Sequence, residues 1–107
     1  MTSIDTTLAE RGARYGSFMD NARIAQSIKE ALHAGGNWCV MAPDQRECLE
    51  MLAAKMSRIV TGDPQYLDNW HDVVGYATLV EQRMKTDVAE NDAELVAAAR
   101  RKPRTKP

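Results

Sequence analysis

Residues 46–84 read RECLEMLAAKMSRIVTGDPQYLDNWHDVVGYATLVEQRM, and the break at Gly62-Asp63-Pro64 decides the fold. Upstream of it, Cys48, Leu52, Met56, Ile59 and Val60 recur at helical spacing and predict a helix running to about Thr61, with Lys55 and Arg58 along its border. Gly62 is placed to cap that helix, and Pro64 prevents its continuation. Downstream, Asp68 reads as the N-cap of another helix. Trp70, Val73, Val74, Ala77, Val80 and Met84 mark its apolar face, with Asp72, Tyr76 and Arg83 on an adjoining one. So short a connection makes the two an antiparallel hairpin.

Working toward the N-terminus, IDTTLAERGARYGSF (residues 4–18) predicts a short helix ending near Arg14, with Tyr15-Gly16 as a turn. Ser17 opens a second helix, in which Phe18, Ala22, Ala25, Ile28 and Leu32 form one apolar stripe, and HAGG at 33–36 ends it. An irregular connection follows. Pro43 suits the first turn of the next helix, where Asp44 and Glu47 complement the positive end of its dipole.

Beyond Lys85 the chain turns polar, and Asn91 with Glu94 predicts a separate last helix through AELVAAARR. It carries few large apolar residues, so it packs on the body or forms only against another subunit. No β-alternation and no repeat is present. The expected fold is all-α, a small bundle of four to five helices in an oligomer, with residues 1–90 as the bundle and 91–107 as a short helix and basic tail.

At 107 residues the chain is one domain, and its six Met against one Phe suit helical packing and adaptable interfaces. A net charge of −1 gives the molecule no overall field to attract nucleic acid, so DNA is not an expected partner. The terminal RRKPRTKP reads as a disordered solvating tail rather than a phosphate contact. Cys39 and Cys48 lack zinc-site spacing and read as free thiols of a reducing cytoplasm. No apolar run approaches the length of a membrane span.

The polar residues divide between two readings. An antiparallel hairpin pairs Lys55 or Arg58 with Asp68 or Asp72, either as interhelical ion pairs or as a pocket for a phosphate or nucleobase. Trp70 is a core anchor or a stacking platform, and Tyr76 lies one turn from Asp72. Tyr15, beside Arg11 and Arg14, is a turn residue or part of an aromatic-and-cation grip. Phosphate-binding loop, dinucleotide fingerprint, zinc pattern, nucleophile elbow and helix-turn-helix are all absent.

Tyr15-Gly16, Lys55 to Ile59 (K-x-x-R-I), Gly62 to Pro64, Trp70 to Asp72 and Gly75 to Ala77 together resemble a small domain family of tailed phages and prophages without an assigned activity. The resemblance covers about Leu8 to Met84. A looser similarity reaches phage nucleotide-modification-associated domains and the MazG-like all-α pyrophosphatases, whose metal motif is E-x-x-E followed by E-x-x-D. Glu47, Glu50 and Asp72 match that motif, but Asn69 stands where an acid is required.

The resemblance and the residues together give the expectation of a cytoplasmic phage accessory protein, an anti-defence sponge that sequesters a nucleotide-derived ligand without catalysis or cofactor. Tyr15, Lys55, Arg58, Asp68, Trp70, Asp72 and Tyr76 are the expected ligand-binding residues. One alternative is a MazG-like pyrophosphatase holding Mg²⁺ through Glu47, Glu50 and Asp72. Another is an inhibitor or adaptor that binds a host protein through Met-rich faces.

Overall fold

The computed structural model describes residues 3–101; residues 1–2 and 102–107, and with them the expected basic tail beyond Arg101, lie outside it, as does the side chain of Tyr15. Four α-helices follow in chain order: α1 (Ser3–Tyr15), α2 (Phe18–His33), α3 (Pro43–Thr61) and α4 (Leu67–Arg101), with a 3₁₀ turn at Trp38–Val40. No strand occurs among the described residues, and no described helix is long and apolar enough to cross a membrane. The protein is an all-α helical bundle.

The helix starts are set by local chemistry. Ser17 precedes α2 with extended backbone, and Pro43 occupies the first turn of α3, where its missing N–H costs nothing. Gln45 Oε1 accepts the Ala42 N–H at 2.9 Å, satisfying one donor at that start. The helix α4 begins one residue before the expected cap. Asp68 therefore lies in its first turn, near the positive end of the dipole, and its Oδ2 accepts the Tyr66 hydroxyl at 3.1 Å.

The separate last helix does not exist, because α4 runs unbroken for 35 residues. No Gly or Pro interrupts residues 76–101, and (i, i+4) ion pairs Glu81–Lys85 and Arg83–Asp87 support the stretch where the sequence turns polar. The boundary expected between residues 90 and 91 thus falls inside a continuous helix. About 52 Å long at 1.5 Å per residue, α4 outruns α3, which has 19 residues.

The helix α3 is the shared partner: α2 and α4 both pack on it, and α1 lies across α2 and α3. Small side chains let the axes approach, for Ala25, Cys48, Ala53 and Ser57 are buried. Ser57 hydrogen-bonds to Asn21 Oδ1, tying α3 to α2. Between α3 and α4 the ties are ionic. Lys55 Nζ lies 2.8 Å from Asp72 Oδ2, and Arg83 forms a two-pronged contact with Asp44 at 2.7 and 2.9 Å. Both pairs fit one antiparallel register, as the short connection predicts.

The apolar stripes are only half used. Phe18, Met56, Val60, Trp70, Val74 and Met84, all expected to face inward, are exposed. The physical reason is the layer arrangement: each stripe meets a neighbouring helix along one edge, while its other edge faces a side that no described helix covers. Lys55 departs the other way, since it is buried rather than bordering, and Asp72 supplies the counter-charge that makes this tolerable.

Candidate functional site

The end of α1 and the turn after it are clamped on the α3–α4 connection and the last residue of α3 by three contacts. The Asp63 N–H donates to the Arg14 carbonyl at 2.7 Å, and the Arg14 guanidinium stands 5.2 Å from the centre of the Tyr66 ring. Gly16 adopts φ +75° with its backbone pressed on Thr61. Asp63 Oδ1 accepts the Gln65 N–H at 2.9 Å, and Pro64 O accepts the Trp70 indole N–H at 2.8 Å, so the connection is braced from both sides. The turn at 15–17 therefore holds α1 beside α3.

That placement creates a cleft. Arg11 and Arg14 of α1 and Arg58 of α3 line a polar cavity of about 310 Å³, together with Thr7 and Glu10. Arg11 and Arg58 also line an adjoining cavity of about 480 Å³, whose other walls include Leu8, Phe18 and Asn21. Three guanidiniums beside an exposed aromatic ring form a suitable receptor for a phosphate attached to a flat, partly apolar group. Of these residues Arg58 was expected from the sequence.

The other expected residues are dispersed. Lys55 and Asp72 form the hairpin ion pair, and the hydrogen bond from Lys55 holds the Asp72 carboxyl below its usual range, with charge contributions from Lys55, His71 and Arg58. Asp68 serves Tyr66, while Trp70 anchors the connection with about half its surface exposed. Tyr76 lines a different, small cavity of about 200 Å³ with Asp44, Glu47 and Cys48. The side chain of Tyr15 lies outside the described residues.

Leu8 and Phe18 were not expected to bind a ligand, and Arg11 and Arg14 were expected only as neighbours of Tyr15 in an aromatic-and-cation grip, not as ligand-binding residues in their own right. The signal that could have found them is the R-x-x-R spacing on α1, which puts two cations on one helix face immediately before the turn.

The residues of the metal alternative are not brought together. Glu50 Oε1 lies 2.7 Å from His33 Nε2, against the Trp38 ring, and Asp72 is engaged by Lys55. Glu47 stands nearer the start of α3 and faces Tyr76 rather than Asp72. Among the described residues no three His, Cys, Asp or Glu side chains are grouped to hold a metal ion.

A family model described as Domain of unknown function (DUF6378) matches residues 2–84, which takes in α1 to α3 and the part of α4 that packs on α3. No curated protein and no solved structure matches.

Proposed function

Since the chain belongs to the DUF6378 family, a domain of unknown function, we propose its role from its own cleft: it binds and holds a nucleotide-derived anion without converting it. The observation that carries this reading is that Arg11, Arg14 and Arg58 line one cavity, while Arg11 and Arg58 also line an adjoining one with Phe18. The guanidiniums engage phosphate oxygens through paired N–H donors, and Phe18 and Leu8 offer an apolar wall to a base or ribose. Within the cleft the Thr7 hydroxyl donates to the Ser3 carbonyl at 2.9 Å rather than to a base, and retention rather than turnover is the reading adopted.

The resemblance to phage domains supplies the setting. A sponge for a nucleotide-derived messenger of host defence, acting in the cytoplasm of an infected cell, needs only affinity and abundance. The Mg²⁺-dependent pyrophosphatase gains no support from side chains already committed to His33 and Lys55.

Native mass spectrometry with nucleoside triphosphates, cyclic dinucleotides and adenosine diphosphate-ribose derivatives, with Mg²⁺ present, tests the proposal. The expected result is an adduct of unchanged ligand mass that Arg11→Ala and Arg58→Ala each weaken by roughly ten- to a hundredfold, the loss of one charge-assisted contact. Release of pyrophosphate would overturn it in favour of the enzyme. Absence of any adduct would favour a protein partner.

A further inference from the structure

The chain exposes 8353 Å², whereas a compact monomer of 11.9 kDa exposes about 5,900 Å². Its radius of gyration is 21.7 Å, against about 13 Å for a compact chain of this length. The excess, roughly 2,400 Å² per chain, is enough to supply the 2,000–5,000 Å² total of an obligate homodimer interface.

Much of that surface is apolar and ordered along α4. Two faces of this helix differ by about 100°. One, containing Asn69, Asp72, Val73, Tyr76, Val80 and Arg83, supplies the buried, half-buried and ion-paired residues set against α3. The other keeps a strict alternation of three and four residues from Leu67 to Ala98, and every member is exposed. Exposure reaches 62% at Val74, 59% at Val88 and 68% at Leu95. Such a heptad stripe suits a second helix lying alongside.

The stripe also has a groove beside it. Ala77, Met84 and Val88 share an open cavity of about 650 Å³ with Cys48, Leu49 and Leu52 of α3, so an incoming helix would meet two helices rather than one. Within the stripe only two members between Leu67 and Ala98 are polar, Glu81 and Asn91. These two residues select the register.

We propose that a second copy of this chain occupies the groove, its α4 antiparallel to the first, with a twofold axis crossing at the level of Thr86. In that register Val74 faces Ala98 of the other copy, Ala77 faces Leu95, and Met84 faces Val88. Glu81 faces Asn91, so the two polar positions meet each other, and the remaining pairs between Val74 and Ala98 are apolar. Shifting the pairing by one heptad either way sets Asn91 against Val88 or Val74, and Glu81 against Ala98 or Met84. Each such shift buries polar groups against hydrocarbon, which costs stability. A twofold axis repeats every contact, so residues 85–101, which extend beyond the helices packed on α3, become an exchanged arm. The pairing is independent of the arginine cleft, none of whose lining residues lies on α4.

Disulfide trapping in a Cys39→Ser, Cys48→Ala background, which removes the thiol that lines the same groove, tests both the dimer and its register. Glu81→Cys combined with Asn91→Cys should give a covalent dimer on mild oxidation, while either substitution alone should not. The two positions are ten residues apart on one helix, about 15 Å, too far to bridge within a chain. Efficient cross-linking by the single variants would indicate a parallel or shifted pairing and overturn the register. In parallel, light scattering of the unmodified protein should give twice the 11.9 kDa chain mass, and Val88→Glu with Leu95→Glu should return it to the chain mass with helicity retained. A monomer mass for the unmodified protein at about 100 μM would overturn the proposal, since an obligate interface of this size remains closed there.

Discussion

A Cβ built on Gly16 would lie 1.8 Å from the carbonyl oxygen of Thr61. The backbone of the α1–α2 turn thus rests directly on the last turn of α3, and that contact fixes the position of α1, and with it Arg11 and Arg14, relative to Arg58. The positive φ of Gly16, +75°, adds a second demand that a side chain would meet poorly. Gly16→Ala should therefore lower stability by at least about 2 kcal/mol, the strain of a left-handed residue plus displacement of the turn. Urea unfolding measures this. A loss under about 0.5 kcal/mol would mean that the turn can lift from Thr61 at little cost.

Acid should weaken the α3–α4 hairpin. The hydrogen bond from Arg83 holds the Asp44 carboxyl below its ordinary value, and the hydrogen bond from Lys55 does the same for Asp72. In the unfolded chain both return to about 3.9, so the unfolded state takes up protons first as pH falls. Their contribution is complete above about pH 5 and is lost as pH drops through the lowered folded values. Urea midpoints between pH 7 and pH 2.5 should decline on that schedule, and Asp44→Asn with Asp72→Asn should flatten the decline. An unchanged acid profile in the double variant would place the sensitivity elsewhere.

Asn69 is 1% exposed, and its Nδ2 has no hydrogen-bond partner among the described residues. An unsatisfied buried amide costs about 1–3 kcal/mol, and Leu has the same branching and number of side-chain heavy atoms, with somewhat more bulk, but without that demand. Asn69→Leu is expected to leave stability unchanged or raise it by about 1 kcal/mol. Thermal and urea unfolding report the sign, and a loss beyond about 2 kcal/mol would show that the amide is satisfied in solution.

The two cysteines should react in sequence. Burial pushes the Cys48 thiol up, with Asp44 adding to the effect, and its side chain is 8% exposed, while Cys39 is exposed at the 3₁₀ turn. A thiol-specific aromatic disulfide should label Cys39 in the native protein and Cys48 only on unfolding, as peptide mass mapping would show. Equal rates at both would mean that the α3–α4 groove opens readily.

The hairpin was legible in the sequence because its signals are local. Gly62 and Pro64 stop α3, Pro43 starts it, and the short connection permits only an antiparallel return that brings Lys55 to Asp72. Helical periodicity, by contrast, tells which residues share a face but not whether a neighbour covers that face. Trp70 and Val74 therefore read as core although the layer leaves them exposed. The continuity of α4 was hidden because Asn91 and Glu94 imitate a cap, while the support that carries the helix past them, such as Arg83–Asp87, lies one turn earlier. Arg11 and Arg14 were legible as cations beside Tyr15, but not their meeting with Arg58, because the cleft depends on how α1 docks, which rests on the Gly16–Thr61 contact between residues 45 positions apart.

Ionic strength and ring chemistry should separate the two halves of the cleft. The guanidiniums of Arg11, Arg14 and Arg58 act on phosphate through charge, which salt screens once the Debye length falls from about 10 Å at 0.1 M to about 3 Å at 1 M. Phe18, 81% exposed on the adjoining wall, acts on a base through stacking, which salt leaves largely intact. Titration calorimetry with inorganic tripolyphosphate and with adenosine triphosphate should therefore show both affinities falling with added sodium chloride, with their ratio nearly constant. Phe18→Ser should remove about a tenfold preference for the nucleotide, in the range of one base–aromatic stack, and leave tripolyphosphate binding unchanged. Arg14→Ala should weaken both ligands together, because that residue faces phosphate whichever group follows it. If Phe18→Ser weakens tripolyphosphate as much as the nucleotide, the ring shapes the cleft rather than touching the ligand. The apolar wall would then have to be sought at Leu8.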